Sequence, residues 1–132
     1  MVGLVGATTL VLTGVFGFVT LFFLEDSIGV QMTTIGVVHI VLAGLSSVAS
    51  MSSMLLVGFW FRGELSSRAA GIYSLISVGF VFVTEGVTAA MGVSHGPIGG
   101  LMERMTIGGF MQWLFVTALI FSGGFRTALP AK

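Results

Sequence analysis

Residues 35–61 read IGVVHIVLAGLSSVASMSSMLLVGFWF, a run without a single Asp, Glu, Lys or Arg. An α-helix rises about 1.5 Å per residue, so roughly 20 residues cross a hydrocarbon core of about 30 Å. This run is long enough to do so. A transmembrane β-strand would instead show segments of roughly 10 residues alternating apolar and polar, and the run does not alternate. Three more stretches of the same kind flank it. Residues 2–23 and 105–125 carry no charge, and residues 69–91 are interrupted by Glu85 alone. The expected fold is all-α: a polytopic membrane protein built as an antiparallel up-down bundle of four transmembrane helices, with residues 1–132 as one transmembrane domain.

Composition points the same way. Of the 132 residues, 55% are hydrophobic and 8% charged, and mean hydropathy is +1.11. Soluble domains carry about 25% charged residues, so this chain lacks the means to cover a water-facing surface. Five basic residues balance five acidic ones, which leaves no basic field for nucleic acid. The absence of cysteine excludes disulfides, thiol catalysis and cysteine-held metal clusters. Twenty glycines fit the close helix packing used in lipid.

The predicted connections, residues 25–34, 62–68 and 92–104, are short enough to make successive helices antiparallel neighbours. The third contains Gly92, Gly96, Pro97, Gly99 and Gly100 and is expected to be a loop. Arg62, Arg68, Arg126 and Lys132 fall on one side, while Glu25, Asp26 and the Glu103–Arg104 pair fall on the other. The positive-inside rule then puts both termini in the cytoplasm. Residues 1–3 carry no basic side chain, so the first span is expected to be a retained helix rather than a signal peptide.

Helices in lipid associate through close contact and small polar side chains, and the second span is rich in both. Ala43, Gly44, Ser46, Ser47, Ala49, Ser50, Ser52 and Ser53 crowd its middle. Ser46, Ser50 and Ser53 share one face, where a neighbouring backbone can approach closely and the hydroxyls bond back to their own helix or across it; a polar pathway along that face is the alternative. Gly108, Gly109, Gly123 and Gly124 repeat the device in the fourth span. Trp60 and Phe61 sit where amphipathic rings belong at headgroup level, and Trp113 is expected to be packed, with its indole N–H bonded.

Glu85 is the most informative single residue. A carboxylate at membrane depth is costly unless neutralised or paired, and such residues face the bundle and are functional by default. It lies roughly 9 Å below the outer end of its span, and His39 roughly 6 Å deep from the same side. The two are expected to meet, beneath loops carrying Asp26, His95, Glu103 and Arg104. Asp26, His39, Glu85, Glu103 and Arg104 thus form a candidate polar layer. It either closes the helices structurally, binds an ion, proton, small polar ligand or lipid headgroup, or holds a hydrolytic metal through His39, His95, Glu85 and Glu103. Neither HExxH spacing nor a nucleophile elbow supports the last reading, and no cofactor or resident metal is expected.

Two stretches resemble the DUF998 family of bacterial and archaeal membrane proteins. Leu21-Phe22-Phe23-Leu24-Glu25-Asp26, followed by Gly36 to Gly44 with His39, is similar to that family's span end, aspartate-bearing loop and histidine opening the next span. Gly100 to Gly108, with Glu103-Arg104, and Trp113 five residues on, resembles its Glu-Arg pair, glycine and tryptophan. Members usually carry about six spans, and this chain would match the last four; Leu24 stands where the family commonly has proline. The resemblance implies a fold, a bacterial or archaeal cytoplasmic membrane and the polar positions Asp26, His39, Glu103 and Arg104. It implies no reaction, and Glu85 comes from burial alone.

The expected function is that of a structural or accessory subunit acting through helix packing. Its partners would be the bilayer and other membrane helices, in a homo-oligomer or larger complex. An oligomeric channel or carrier is the alternative, and a metal-dependent hydrolase the third reading.

Overall fold

The computed structural model describes residues 1–27, 30–63, 68–94 and 98–127, with the side chains of 92–94 and 124–127 left out of the description. Among the described residues the chain is all-helical: α1 (Val2–Thr20), α2 (Thr34–Gly63), α3 (Arg68–Ser94) and α4 (Gly99–Thr127). All four are long and apolar enough to cross a membrane.

The ends of these helices have local causes. α1 is 19 residues long, a little short for a core of about 30 Å at about 1.5 Å per residue. Its last turn is drawn out by i→i+3 bonds from Leu21, Phe22 and Phe23 N–H to Phe18, Val19 and Thr20 carbonyls (3.1–3.2 Å), which carries the apolar run to residue 23. α2 opens on an N-cap: Thr33 Oγ1 accepts the Gly36 N–H at 3.1 Å, as a threonine there should. α4 begins six residues earlier than the apolar run at 105. Gly99 and Gly100 are helical rather than looped, and Leu101 and Met102 N–H close onto the Ile98 carbonyl. Gly92, too, belongs to the end of α3. The turn-forming residues are therefore fewer than the glycine count suggested. Glu103 and Arg104 consequently ride on the first two turns of α4, both exposed.

α1 packs on α2, α2 on α3 and α3 on α4. Residue numbers run in opposite directions at each contact. Along α1 and α2, Gly3 faces Trp60, Gly6 faces Val57 and Gly17 faces Ser46. Along α2 and α3, Gly58 faces Ser74 and Gly71 faces Arg62. Along α3 and α4, Gly109 faces Phe80 and Gly99 faces Met91.

The tightest approach is between α2 and α3. A Cβ built on Gly71 would stand 2.8 Å from both the Gly58 carbonyl oxygen and the Arg62 backbone nitrogen. Only glycine admits backbone at that distance. Beside this crossing lies the apolar core, formed by Met54, Val57, Phe61, Val78, Val81 and Trp113. Trp113 and Met54 are wholly buried. Around one end of it the Phe121 ring of α4 lies 5.8 Å from Trp60 and 5.3 Å from Phe61. α1 and α4 flank a separate apolar groove, considered below.

The two kinds of glycine separate in experiment. Gly71→Ala must push α2 and α3 apart and is expected to lower stability by about 1–3 kcal/mol. Gly108, which has open space where a Cβ would go, should tolerate alanine or gain up to about 1 kcal/mol from helix propensity. Unfolding titrations of both variants in mixed micelles check the contrast.

Candidate functional site

Polar side chains buried between helices need partners from the protein itself. Ser46 Oγ donates to the Thr13 carbonyl (3.1 Å) and Ser53 Oγ to the Gly6 carbonyl (3.0 Å), both on α1. These are two members of the predicted serine face, one hydroxyl every two turns, and each bonds across to a neighbouring backbone. Ser50, between them, turns back to the Ser47 carbonyl at 2.9 Å.

On the other side of α2, Ser47 Oγ donates to Glu85 Oε1 at 2.9 Å. The half-buried Glu85 is thus tied to α2 through a hydroxyl. One residue away on α3, Thr106 Oγ1 of α4 donates to Thr84 Oγ1 at 2.8 Å. Thr84 can pass its own proton to the Phe80 or Val81 carbonyl, each at 3.1 Å. About three turns along α3 from the Glu85 pair, the Trp113 indole N–H donates to Ser74 Oγ at 2.9 Å, which satisfies the buried ring. A ladder of hydroxyl-mediated bonds therefore links the helices in sequence.

His39 and Glu85 do not share a bond. His39 Nδ1 lies 2.8 Å from the Phe23 carbonyl. A carbonyl can only accept, so Nδ1 carries the proton, and the bond fixes the ring's orientation. Ser47 is eight residues further along α2, or about 12 Å at 1.5 Å per residue. Glu85 stands at the level of Ser47, not of His39. The sequence estimate failed because it measured depth from two uncertain span ends, and α3 continues past residue 91 to Ser94.

Asp26 has a third and separate setting. Its carboxylate accepts the Thr33 N–H at 2.7 Å and the Thr33 hydroxyl at 2.9 Å. A Cβ on Gly36 would collide with this carboxylate, so glycine there lets an anion sit against the first turn of α2, where the helix dipole favours it. The five candidate residues thus divide among settings: Asp26 braces the start of α2, His39 ties α2 to the end of α1, Glu85 ties α3 to α2, and Glu103 and Arg104 are exposed on α4. His95 lies outside the described residues. Among the described residues no three His, Asp or Glu side chains gather to hold a metal ion.

Ser47, Ser74, Thr84 and Thr106 are the partners that sequence reasoning did not single out. Their signal was faint: a small hydroxyl residue is common in any membrane helix. The one usable hint was that a buried carboxylate and a buried indole each need a partner.

Comparison with known protein families, with curated proteins and with solved structures finds no match to this chain.

A double-mutant cycle tests the buried pair. Ser74→Ala strands the indole N–H and is expected to cost about 1–3 kcal/mol, and Trp113→Phe removes both the donor and packed area. The double variant should lose less than the sum by at least about 0.5 kcal/mol. Strict additivity would show that the bond contributes nothing.

Proposed function

We propose that this chain is an integral membrane protein of up-down topology that works as a structural or accessory subunit, through helix packing. The observation that carries this reading is the placement of its intramembrane polar groups. Ser46, Ser53, Ser47–Glu85 and Trp113–Ser74 all bond from one helix to the next. That is polar chemistry used as adhesive, which is its ordinary use between membrane helices. The reversed order of contacts along each helix pair supports the antiparallel arrangement. Charge distribution supports cytoplasmic termini, in a bacterial or archaeal membrane if the resemblance to the DUF998 family is a true kinship.

The outer surface supports association with other helices. Large apolar residues stand exposed on every helix, among them Leu4, Val11, Val48, Phe82 and Phe115. On the α2–α3 face, Val48, Ser52, Leu55, Val78, Gly79 and Phe82 line a shallow groove of about 400 Å³. The small residues Ser52 and Gly79 give a further helix room to approach there. Part of this surface is covered by acyl chains, and the rest is free for a second copy or a larger complex.

The channel or carrier reading keeps one specific support. Glu85 is only half-buried, and a carboxylate at such depth is an ordinary place for a proton or cation to bind. Glu85→Gln separates the two. Glutamine can still accept from Ser47, so the adhesive role predicts an unchanged oligomeric state in detergent or nanodiscs. Transport predicts loss of proton or cation flux in liposomes holding the variant while the parent conducts. Flux in the parent that Glu85→Gln abolishes would replace the accessory reading.

Orientation has its own measurement, helped by the absence of native thiols. Ser94→Cys should react with an impermeant maleimide from outside intact cells and Ser66→Cys should not. The reverse pattern would invert the topology.

A further inference from the structure

We infer that the groove between α1 and α4 is a lipid site, holding one acyl chain of an anionic glycerolipid whose ester carbonyl accepts a hydrogen bond from Thr117. Thr117 lies on α4 and is buried, at 6% exposure. Its Oγ1 has no hydrogen-bond partner among the described residues. That is unusual for this protein. Thr8, Thr9, Thr13, Thr20, Thr84 and Thr88, also helical, each donate to a carbonyl of the preceding turn, and Thr106 donates to Thr84. A hydroxyl away from water without a partner is unfavourable, and in a membrane no water replaces the missing acceptor.

Thr117 lines a groove of about 460 Å³ together with Leu4, Ala7, Leu10, Trp60 and Phe121. The volume falls within the range of about 300–1,000 Å³ typical of small-molecule sites. Its remaining walls are apolar side chains, so the occupant must be apolar with one hydrogen-bond acceptor. A second helix does not fit inside. With a diameter of at least about 10 Å, it fills roughly 800 Å³ over the distance from Gly3 to Leu10. A single acyl chain is slender enough.

Depth and charge fix which lipid and which way up. Thr117 stands one turn, about 6 Å, inward of Phe121, which stacks on Trp60. Tryptophan at a span end marks the headgroup level, and the ester carbonyls of a glycerolipid lie just beneath it. The exposed Arg62 and Arg68 lie at the same end of the helices as Trp60, at headgroup level though outside the groove's lining, and basic side chains at that level favour anionic headgroups. The site rests on the membrane placement and is independent of the accessory role.

The test is native mass spectrometry of the full chain in mild detergent, titrated with phosphatidylglycerol and, separately, phosphatidylcholine. The parent should retain one phosphatidylglycerol per chain, in preference to phosphatidylcholine. Thr117→Val should weaken that binding by about three- to ten-fold, the usual worth of one neutral hydrogen bond. Ala7→Phe, which fills the groove, should weaken it by more than ten-fold. Melting in lipid-free detergent separates this from damage to the fold: Thr117→Val should melt at or above the parent, because it removes an unpartnered buried hydroxyl. Equal binding by parent and Thr117→Val, equal binding of both lipids, or cross-linking of Ala7→Cys to its counterpart on a second copy would each overturn the assignment. Recovery of the parent outside the membrane fraction would instead refute the membrane placement beneath it.

Discussion

The four helices are long and apolar enough to cross a membrane, and a hydroxyl or carboxyl group buried between such helices has only the protein to bond with. Each contact between consecutive helices carries a hydrogen bond donated by a serine, threonine or tryptophan side chain. Ser46 and Ser53 reach α1, Ser47 reaches α3, and Trp113 and Thr106 reach α3 from α4. Such bonds average about 0.6 kcal/mol in a membrane, too little to hold helices apart from packing. Their larger effect is on register. A serine that meets a carbonyl at one position would lose it if the helix slid by a turn, and the buried group left behind would be penalised.

Close packing and hydrogen bonding depend on each other here. Gly6 is both the point where α1 meets Val57 at a built-Cβ distance of 3.1 Å and the carbonyl that accepts Ser53. Gly58 and Gly71 bring α2 and α3 together near Ser74, and Ser74 then receives the Trp113 indole. At Gly6 the glycine sets the separation at which a short hydroxyl spans the gap; at Gly58 and Gly71 it seats α3 so that Ser74 can face α4 as well. Replacing the glycine would cost the bond as well as the packing, so effects at these sites are coupled.

Much of this was legible in the sequence because burial in lipid is written in composition. The charge-free runs gave four helices to within a few residues, except at α4. The spacing of Ser46, Ser50 and Ser53 showed a shared face but not which hydroxyls bond across it, as Ser46 and Ser53 do, and which turn back, as Ser50 does; Trp113 was correctly expected to be packed with its N–H satisfied. The meeting of His39 with Glu85 was not legible. Depth arithmetic from span ends carries an error of a turn or more, since helices run past the apolar boundary: α3 to Ser94 and α4 from Gly99. A partner one or two turns away is a different partner. Asp26 was legible as a candidate but not in its setting, because bracing a helix start seven residues later depends on how the intervening chain turns.

The polar residues therefore do not form one layer. They are distributed among separate settings: the start of α2, the α1–α2 contact, the α2–α3 contact and the exposed start of α4. The Glu85 oxygen takes a hydroxyl at a helix crossing, as the neighbouring Thr84 takes one from α4. A pathway for ions would need consecutive polar groups facing a common space, whereas these groups face one another in pairs across separate interfaces. Thr117 departs from this pairing, being buried beside a groove with nothing to bond. An arrangement that gives seven other helical threonines a partner and leaves this buried one bare places the unmet requirement at the α1–α4 opening, where a surrounding bilayer would supply the acceptor.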